Sequence, residues 1–484
     1  MIPQSVFELG TPLFSFIHII IASIATVHAV LHKRNIRSII GWIGLVWLSP
    51  IVGSALYLLF GINRIQRTGT SLGLSRAWKA GAGHGALGLI AFSKTELARL
   101  HPGMNGMDTL AERVSGKLLS AGNSVEPLPD GDTAFPAMLD AIAKARRSIT
   151  LISYIFDDDG VGSLFLSALQ EAGKRGVQIR ILLDSLGALY SRSSMSKRLE
   201  NAGIPVATFL PGMVPKLFRY ANLRNHRKIM VVDGIYGFTG GVNIREGHWL
   251  SRQPKNPVRC LHFALKGPIV RDLQRTFATD WAFATQEQLS GAPWFYPLET
   301  EGQVLARGIS DGPDTDLDNM LKIMLGALSS ARKRVRIVSP YFLPDEALLY
   351  AIKCSALRGV AVDIILPLRC NFAVMDWAMR PQLSELIECG CRVHFTPPPF
   401  DHAKLFTVDG VWSLIGSTNW DARSLRLNFE YNVECYDTVL AESLDALADE
   451  RIARAHQAKL SELNAFPLPV RLRNGLARLL SPYI

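Results

Sequence analysis

HRKIMVVD, beginning at His226, returns 176 residues later as HAKLFTVD, beginning at His402, and both copies keep His, Lys and Asp in an HxKxxxxD spacing. The agreement continues downstream. Six residues separate Asp233 from Gly240, Gly241 and Asn243, and six separate Asp409 from Gly416, Ser417 and Asn419. Such a separation is the size of a domain, well beyond the period of about 20–50 residues that marks a solenoid. Neighbouring segments recur in the same order: ARRSITLISYIF from Ala145 with ARKRVRIVSPYF from Ala331, KRGVQIRILL around Arg175 with LRGVAVDIIL around Arg358, and ENAGIPV around Gly203 with IECGCRV around Gly390. A whole fold has been duplicated, and two tandem domains related by a pseudo-twofold axis are expected.

Within each half, apolar β-branched runs (Ile179 to Leu183, Val360 to Ile365) alternate with helical stretches such as Leu164 to Gly173. That alternation predicts βαβ units, and hence an α/β fold with a mixed sheet flanked by helices. At 484 residues the chain has room for two such domains and an extra segment. The expected divisions are 1–66, a transmembrane hairpin; 67–120, a linker; 121–300 and 301–464, the two repeats; and 465–484, a basic amphipathic tail.

The extra segment lies at the N-terminus. Pro12 to Leu31 and Ile39 to Ile62 lack Asp, Glu, Lys and Arg, and the second is 24 residues long. At about 1.5 Å rise per residue, either could cross roughly 30 Å of hydrocarbon as a helix. The competing readings are a signal peptide and a buried helical hairpin. Met1 to Gly10 has no Lys or Arg and contains Glu8, which is unlike a signal-peptide start. Basic residues fall on both sides of the second span, Lys33, Arg34 and Arg37 before it and Arg64, Arg67, Arg76 and Lys79 after it. We read this balance as placing the catalytic portion on the cytoplasmic side.

A formal charge of +10 suits an anionic lipid surface as well as nucleic acid, so context must decide between them. Near the C-terminus, Leu472, Leu476, Leu479 and Leu480 share one helical face flanked by Arg471, Arg473 and Arg478. That is either a basic amphipathic helix for a membrane surface or a final helix packed on the domain. MVPKLFRYANLR, with Lys216, Arg219 and Arg224 among Leu217, Phe218 and Tyr220, is a candidate membrane-facing lip. Six scattered cysteines imply no disulfide framework. Cys389, Cys391 and His394 lack a spaced fourth partner for zinc. His28 and His32 read as interfacial side chains, and Asp157, Asp158 and Asp159 as a solvated turn.

Strand geometry supplies the chemistry of the motif. Residues two apart on a strand share a face, so His226 projects with Lys228 and His402 with Lys404. Asp233 and Asp409 lie at odd offsets before Gly234 and Gly410, where Asp-Gly turns the chain, a position suited to supporting the site. The amides of Asn243 and Asn419 can donate to an anionic oxygen. Small residues at Gly240, Gly241, Gly416 and Ser417 are expected to admit a phosphate. If the copies meet, two imidazoles, two ammonium groups and two amides converge on one phosphodiester. One neutral imidazole attacks phosphorus while the other protonates the leaving alcohol and later deprotonates the acceptor, a scheme that calls for no metal and no cofactor.

NHRKIMVVDGIYGFTGGVNI and DHAKLFTVDGVWSLIGSTNW resemble the paired signatures of the phospholipase D superfamily. RNIRSIIGWIGLVWLSPIVGSALYLLFG, SPYFLPDEAL and LRLNFEYNVE resemble the bacterial cardiolipin synthases within it. The resemblance implies a bacterial inner-membrane phosphatidyltransferase using phosphatidylglycerol and other anionic phospholipids, with no nucleic-acid partner and with oligomeric state open. A lipid hydrolase using the same residues, a nuclease and an inactive membrane scaffold are the alternatives. It also implies a carboxylate behind each catalytic imidazole. Glu430 stands where the partner of His402 is expected, whereas the first half has Cys260 where relatives carry Asp, which would leave His226 facing a thiol. Which His is the nucleophile stays open.

Overall fold

A computed structural model of the chain describes residues 4–33, 36–49, 51–61, 97, 103–185, 195–209, 223–313, 316–479 and 481. Arg34, Arg64, Arg67, Arg76, Lys79, Lys216, Arg219 and Leu480 therefore lie outside the described residues, as does most of the expected linker. The chain forms two compact units, the N-terminal segment and the body that carries both repeats.

In the N-terminal unit, α1 (Gln4–His32) is a single helix whose stretch Ser15–His32 is long and apolar enough to cross a membrane. Only 11% of that stretch is buried, and Ile17, Ile20, Ile24, Val27 and Leu31 face outward. A water-soluble helical hairpin would bury such a face, so this one belongs in lipid. The second span departs from expectation. It is interrupted: α2 (Ile36–Leu48) is 13 residues long, and the chain restarts as α3 (Val52–Leu56), which runs into a π-helical turn at Tyr57–Gly61. Pro50 falls between α2 and α3, and proline has no N–H to continue the helical ladder. At Gly53 a Cβ would stand 2.2 Å from the Leu45 carbonyl oxygen, so the chain folds back there and only glycine fits. Alone, α2 spans about 20 Å, short of the roughly 30 Å hydrocarbon layer. Ala22 and Ala29 of α1 are buried with Trp42, Val46 and Tyr57, the small residues allowing close helix approach. His28 Nδ1 meets the Tyr57 hydroxyl at 2.8 Å and its ring stacks on His32.

The body repeats one architecture. The first copy has β1 (Ser120–Pro129), β2 (Ser148–Ser153), β3 (Gln178–Asp184), β4 (Val206–Phe209), β5 (Ile229–Val232), β6 (Tyr236–Gly240) and β7 (Leu261–Lys266). The second has β8 (Val304–Asp311), β9 (Arg334–Val338), β10 (Ala361–Pro367), β11 (Arg392–Thr396), β12 (Leu405–Val408), β13 (Trp412–Gly416) and β14 (Asn428–Tyr436). Helices α4 (Asp130–Lys144), α5 (Gly160–Lys174), α6 (Met195–Asn201) and α7 (Ile269–Thr285) correspond to α8 (Asn319–Ser330), α9 (Glu346–Leu357), α10 (Ala373–Glu388) and α11 (Thr438–Arg454).

These strands form one sheet in the order β11-β10-β9-β12-β13-β14-β8-β1-β7-β6-β5-β2-β3-β4, which reads the same from either end once copies are equated. β2, β3 and β4 run parallel, as do β9, β10 and β11, and the remaining neighbours are antiparallel. The expected α/β fold with a mixed sheet is present. Each copy has its own apolar core. β2 and β12 are buried at every position, as strands covered on both faces must be.

Two expectations change. Part of the 67–120 stretch is folded, since helix Asn105–Ser115 places Met107 and Ala111 in the core of the second copy. The C-terminal stretch, expected as a basic amphipathic helix or as a final helix packed on the domain, forms α12 (Leu468–Leu479), which lies on α10 and keeps its leucines exposed. The acidic triplet is also more ordered than a solvated turn. Asp159 caps α5 by accepting from Gly162 N at 2.9 Å, just as Asp345 caps α9, while Asp157 and Asp158 pair with Arg245 and Arg198.

Asp233 and Asp409 also belong to the frame. Each has a positive φ, 55° and 56°. The Asp233 carboxylate accepts from the N–H groups of Arg146, Arg147 and Ser148 at 2.7–3.1 Å, and that of Asp409 from Arg332, Lys333 and Arg334 at 2.7–2.9 Å. Each carboxylate thus fixes the start of β2 or β9, at the far end of an extended segment on the order of 20 Å from its His. Both Asp residues of the motif thus occupy the kind of supporting place that the Asp-Gly turn suggested. Asp233→Asn and Asp409→Asn should each cost about 1–3 kcal/mol, because Asn tolerates the positive φ but offers one acceptor oxygen. Melting of the detergent-solubilised protein should fall while kcat per folded molecule holds within about twofold; a collapse of kcat without destabilisation would return these residues to the chemistry.

Candidate active site

Short crossed strands bring the two motifs together. Arg224–Asn225 pairs in parallel with Asn428–Phe429 of the other copy, and Phe400–Asp401 pairs in parallel with Val258–Arg259. The pairing continues one step on each side: His226 N donates to the Phe429 carbonyl at 2.9 Å and His402 N to the Arg259 carbonyl at 2.7 Å. Each histidine therefore follows a strand clipped to the opposite repeat, and the next residue of that partner strand lies beside it. For His226 that residue is Glu430. For His402 it is Cys260.

The expected partnership is thus exchanged. Glu430 does not support His402; its two carboxylate oxygens lie 3.0 and 3.1 Å from His226 Nδ1. Because the carboxylate only accepts, the His226 proton sits on Nδ1 and the Nε2 lone pair is free. Glu430 is fully buried, with Ser417 Oγ and Asn428 Nδ2 donating to it. Burial works to raise its pKa, but the neighbouring His226 and Lys228 and the Ser417 hydroxyl hold it below the usual carboxylate value. It remains an anion.

His402 has weaker support. Its Nδ1 donates to the Gly241 carbonyl at 3.2 Å, and Cys260 Sγ lies 3.8 Å away. Burial pushes the Cys260 thiol up to about 12, so it stays neutral. Around the ring stand His248, Tyr341 and Phe400, with centroids 6.2–6.3 Å away. Burial first, then the charges of Lys404 and Lys228, press His402 well below an ordinary histidine. His226 is lowered to about 4 by burial, with Glu430 opposing. Both imidazoles are neutral at pH 7.

The lysines sit symmetrically. Lys228 Nζ donates to the His226 carbonyl at 2.8 Å and Lys404 Nζ to the His402 carbonyl at 2.7 Å. Burial, with Glu430 opposing it at both, lowers Lys228 to about 7, helped by the charge of Lys404, and lowers Lys404 to about 8. Lys228 also lies 5.4 Å from the ring of Tyr154, which packs edge-on against His226. Asn243 and Asn419 are buried, two residues beyond Gly241 and Ser417, and among the described residues neither amide oxygen has a hydrogen-bond partner.

The small residues serve a different end from the one expected. A Cβ at Gly241 would lie 2.6 Å from Cys260 Sγ and one at Gly416 2.4 Å from the Tyr431 carbonyl oxygen, so these positions admit the opposing backbone and thiol rather than a phosphate. Ser417 uses its hydroxyl on Glu430. Sequence reasoning took Ser417 only as a small residue and gave no role to Asn428, Tyr154, His248 or Tyr341, although all of these but His248 lie within the recurring or quoted segments. The cysteines are all unpaired, and His394 of the weak zinc candidate spends Nε2 on Asp363 at 2.9 Å.

The arrangement offers one carboxylate-backed nucleophilic nitrogen, a second imidazole for proton transfer, and two ammonium groups for an anionic centre. Its likeness to known proteins agrees. The family described as "Cardiolipin synthase, PLD-like domain" matches residues 138–281 and 324–452, one block per repeat, and "Phospholipase D-nuclease N-terminal" matches 20–61. The chain is 31% identical to a cardiolipin synthase of Geobacillus kaustophilus over 94% of this chain and 90% of that one. It is 29% identical to the major cardiolipin synthase of Bacillus subtilis over 99% and 100%, and 32% identical to cardiolipin synthase A of Pseudomonas fluorescens over 96% of each. Among solved structures, phosphatidylserine synthase of Haemophilus influenzae has a similar fold, with TM-score 0.59 and 15% identity over 78% of this chain and 100% of that one. The chain belongs to the cardiolipin synthase family of phospholipase D-like proteins.

Proposed function

We propose that this chain transfers the phosphatidyl group of one phosphatidylglycerol to the headgroup hydroxyl of a second and releases glycerol. The observation that carries the reading is the pairing of Glu430 with His226 beside His402 and two buried lysines, in a chain that aligns from end to end with cardiolipin synthases. His226 Nε2 attacks phosphorus, the bond from phosphorus to the glycerol oxygen breaks, and the alkoxide takes a proton from His402. The anionic phosphate entering beside His402 raises that imidazole's pKa, so that it takes up a proton from solvent as substrate binds and carries the one it donates. Neutral His402 then takes the hydroxyl proton of the second phosphatidylglycerol, whose oxygen attacks phosphorus and frees His226. Lys228 and Lys404 hold the non-bridging oxygens as charge builds, and Asn243 and Asn419 bind the same group. The N-terminal unit keeps the enzyme in the membrane, with α1 as one crossing, α2 and α3 as an interrupted second, and the repeats on the cytoplasmic side.

Purified full-length protein in phosphatidylglycerol vesicles should give cardiolipin and glycerol in equal amounts; phosphatidic acid in place of cardiolipin would make it a hydrolase. His226→Ala and His402→Ala should each abolish product, and a labelled phosphatidyl group delivered from an activated ester, whose leaving group needs no proton, should be trapped covalently on His402→Ala but not on His226→Ala. The reverse pattern would exchange the roles.

The two supporting positions should respond in opposite senses. Glu430→Gln should lower kcat about 10–100-fold by removing the carboxylate that orients the nucleophile. Cys260→Asp should raise kcat several-fold by stabilising the protonated form of His402; unchanged or lower turnover of a folded variant would refute this. In the wild type, kcat/KM should rise as pH climbs through about 4, where His226 becomes neutral, and fall as pH climbs through about 7 to 8, where Lys228 and Lys404 lose their protons. Stopped-flow or initial-rate profiles on short-chain substrate would show both limbs.

A further inference from the structure

Helix α12 carries three arginines and no acidic residue. At 100° per residue, Leu468, Leu472, Leu476 and Leu479 fall within an arc of about 80°, and all four are exposed, by 59–72%. The buried residues of the helix, Asn474 and Ala477, lie on the opposite side. Arg471 and Arg478 flank the leucine stripe on one edge and Arg473 on the other. An ordinary surface helix turns its leucines inward and its charges outward. This one holds the protein with the side that carries Asn474 and Ala477 and shows its leucines to the surroundings, with Arg471 exposed on one flank.

The helix is held along α10. The Arg473 guanidinium lies 4.4 Å from the Trp377 ring, and Arg478 Nη1 is 3.5 Å from Glu385. The two helices thus advance together, and the first turns of α12 lie beside the first turns of α10. Phe372, 50% exposed, begins α10, and its ring lies 6.0 Å from Tyr341, which in turn borders His402. The leucine stripe therefore starts within a few turns of the residues that border the second imidazole.

We propose that the outer face of α12, with Phe372, is a docking surface for an anionic phospholipid bilayer, which brings the catalytic centre against the lipid headgroups. The occupant is chosen by charge complementarity: three arginines and no carboxylate on the helix suit anionic headgroups, and a leucine arc of this width suits the boundary between headgroups and acyl chains. The inference rests on the lipid substrate proposed above and adds to it a second, C-terminal membrane contact.

The test uses the full-length protein in nanodiscs of phosphatidylglycerol or of phosphatidylcholine, with a fluorescent amino acid inserted in place of Leu476. Lipids brominated near the headgroup should quench the probe, more strongly in the anionic discs. In phosphatidylglycerol vesicles, the double variant Leu472→Glu with Leu476→Glu should lose activity at least about tenfold, while activity on short-chain phosphatidylglycerol below its micelle concentration stays within about twofold. These positions are exposed, and an unchanged melting temperature would confirm that the variant folds. Absence of quenching in both discs, or quenching that arises only between two copies of the chain, would overturn the proposal, the second result assigning the face to a dimer. Equal vesicle activity of variant and wild type would also overturn it. A quenched probe on a wild type that makes no cardiolipin would leave the docking in place and defeat the proposed reaction instead.

Discussion

Everything in the catalytic centre depends on the crossed backbone pairing that hands each histidine to the other repeat. Two-residue parallel pairs, Arg224–Asn225 on Asn428–Phe429 and Phe400–Asp401 on Val258–Arg259, set the register. From them follow the positions of Glu430 and Cys260 and the close approach of Gly241 to Cys260 and His402. A one-residue slip of either pair would turn the supporting side chain away, because successive residues of a strand face opposite sides.

The crossing also makes the two copies chemically unequal. Glu430 is the carboxylate that touches a catalytic imidazole, set against two lysines and two imidazoles, and it is spent on His226. His402 has only a carbonyl and a neutral thiol. Such a centre is short of negative charge until substrate arrives, and a phosphodiester supplies it. Binding and the readiness of His402 to carry a proton are then linked, since the same anion that the lysines attract also favours the imidazolium.

Much of this was legible beforehand because the duplication constrains it. The paired motifs, the βαβ alternation and the spacing of the runs were enough for two mixed α/β domains, and the identities of His226, Lys228, His402 and Lys404 followed from their repetition, although each His and Lys lies just before the strand and not on it. What was not legible depends on contacts between residues far apart in the chain. Glu430 is 28 residues from His402 and 204 from His226, and only the assembled sheet shows that it serves the distant one. Asp233 and Asp409 repeat as faithfully as the histidines, so repetition alone did not show that each carboxylate gathers three N–H groups of the frame. The break at Pro50 was visible as a residue but was outweighed by the unbroken apolar run around it.

The middle of the sheet has a further consequence. β1 pairs with β8 through Ser120 and Asn123 and with β7 through Ser124 to Pro129, so the hydrogen-bonded ladder runs from one copy into the other. A chain with a single copy would leave the β1 side of its sheet unpaired, a template for another molecule to add to. Head-to-head fusion closes that side within one molecule and leaves the ladder open only at its outer ends, where the short strand His456–Gln457 already covers β11. Joining the copies thus does more than assemble the imidazoles: it removes the sticky edge through which half-molecules would otherwise polymerise.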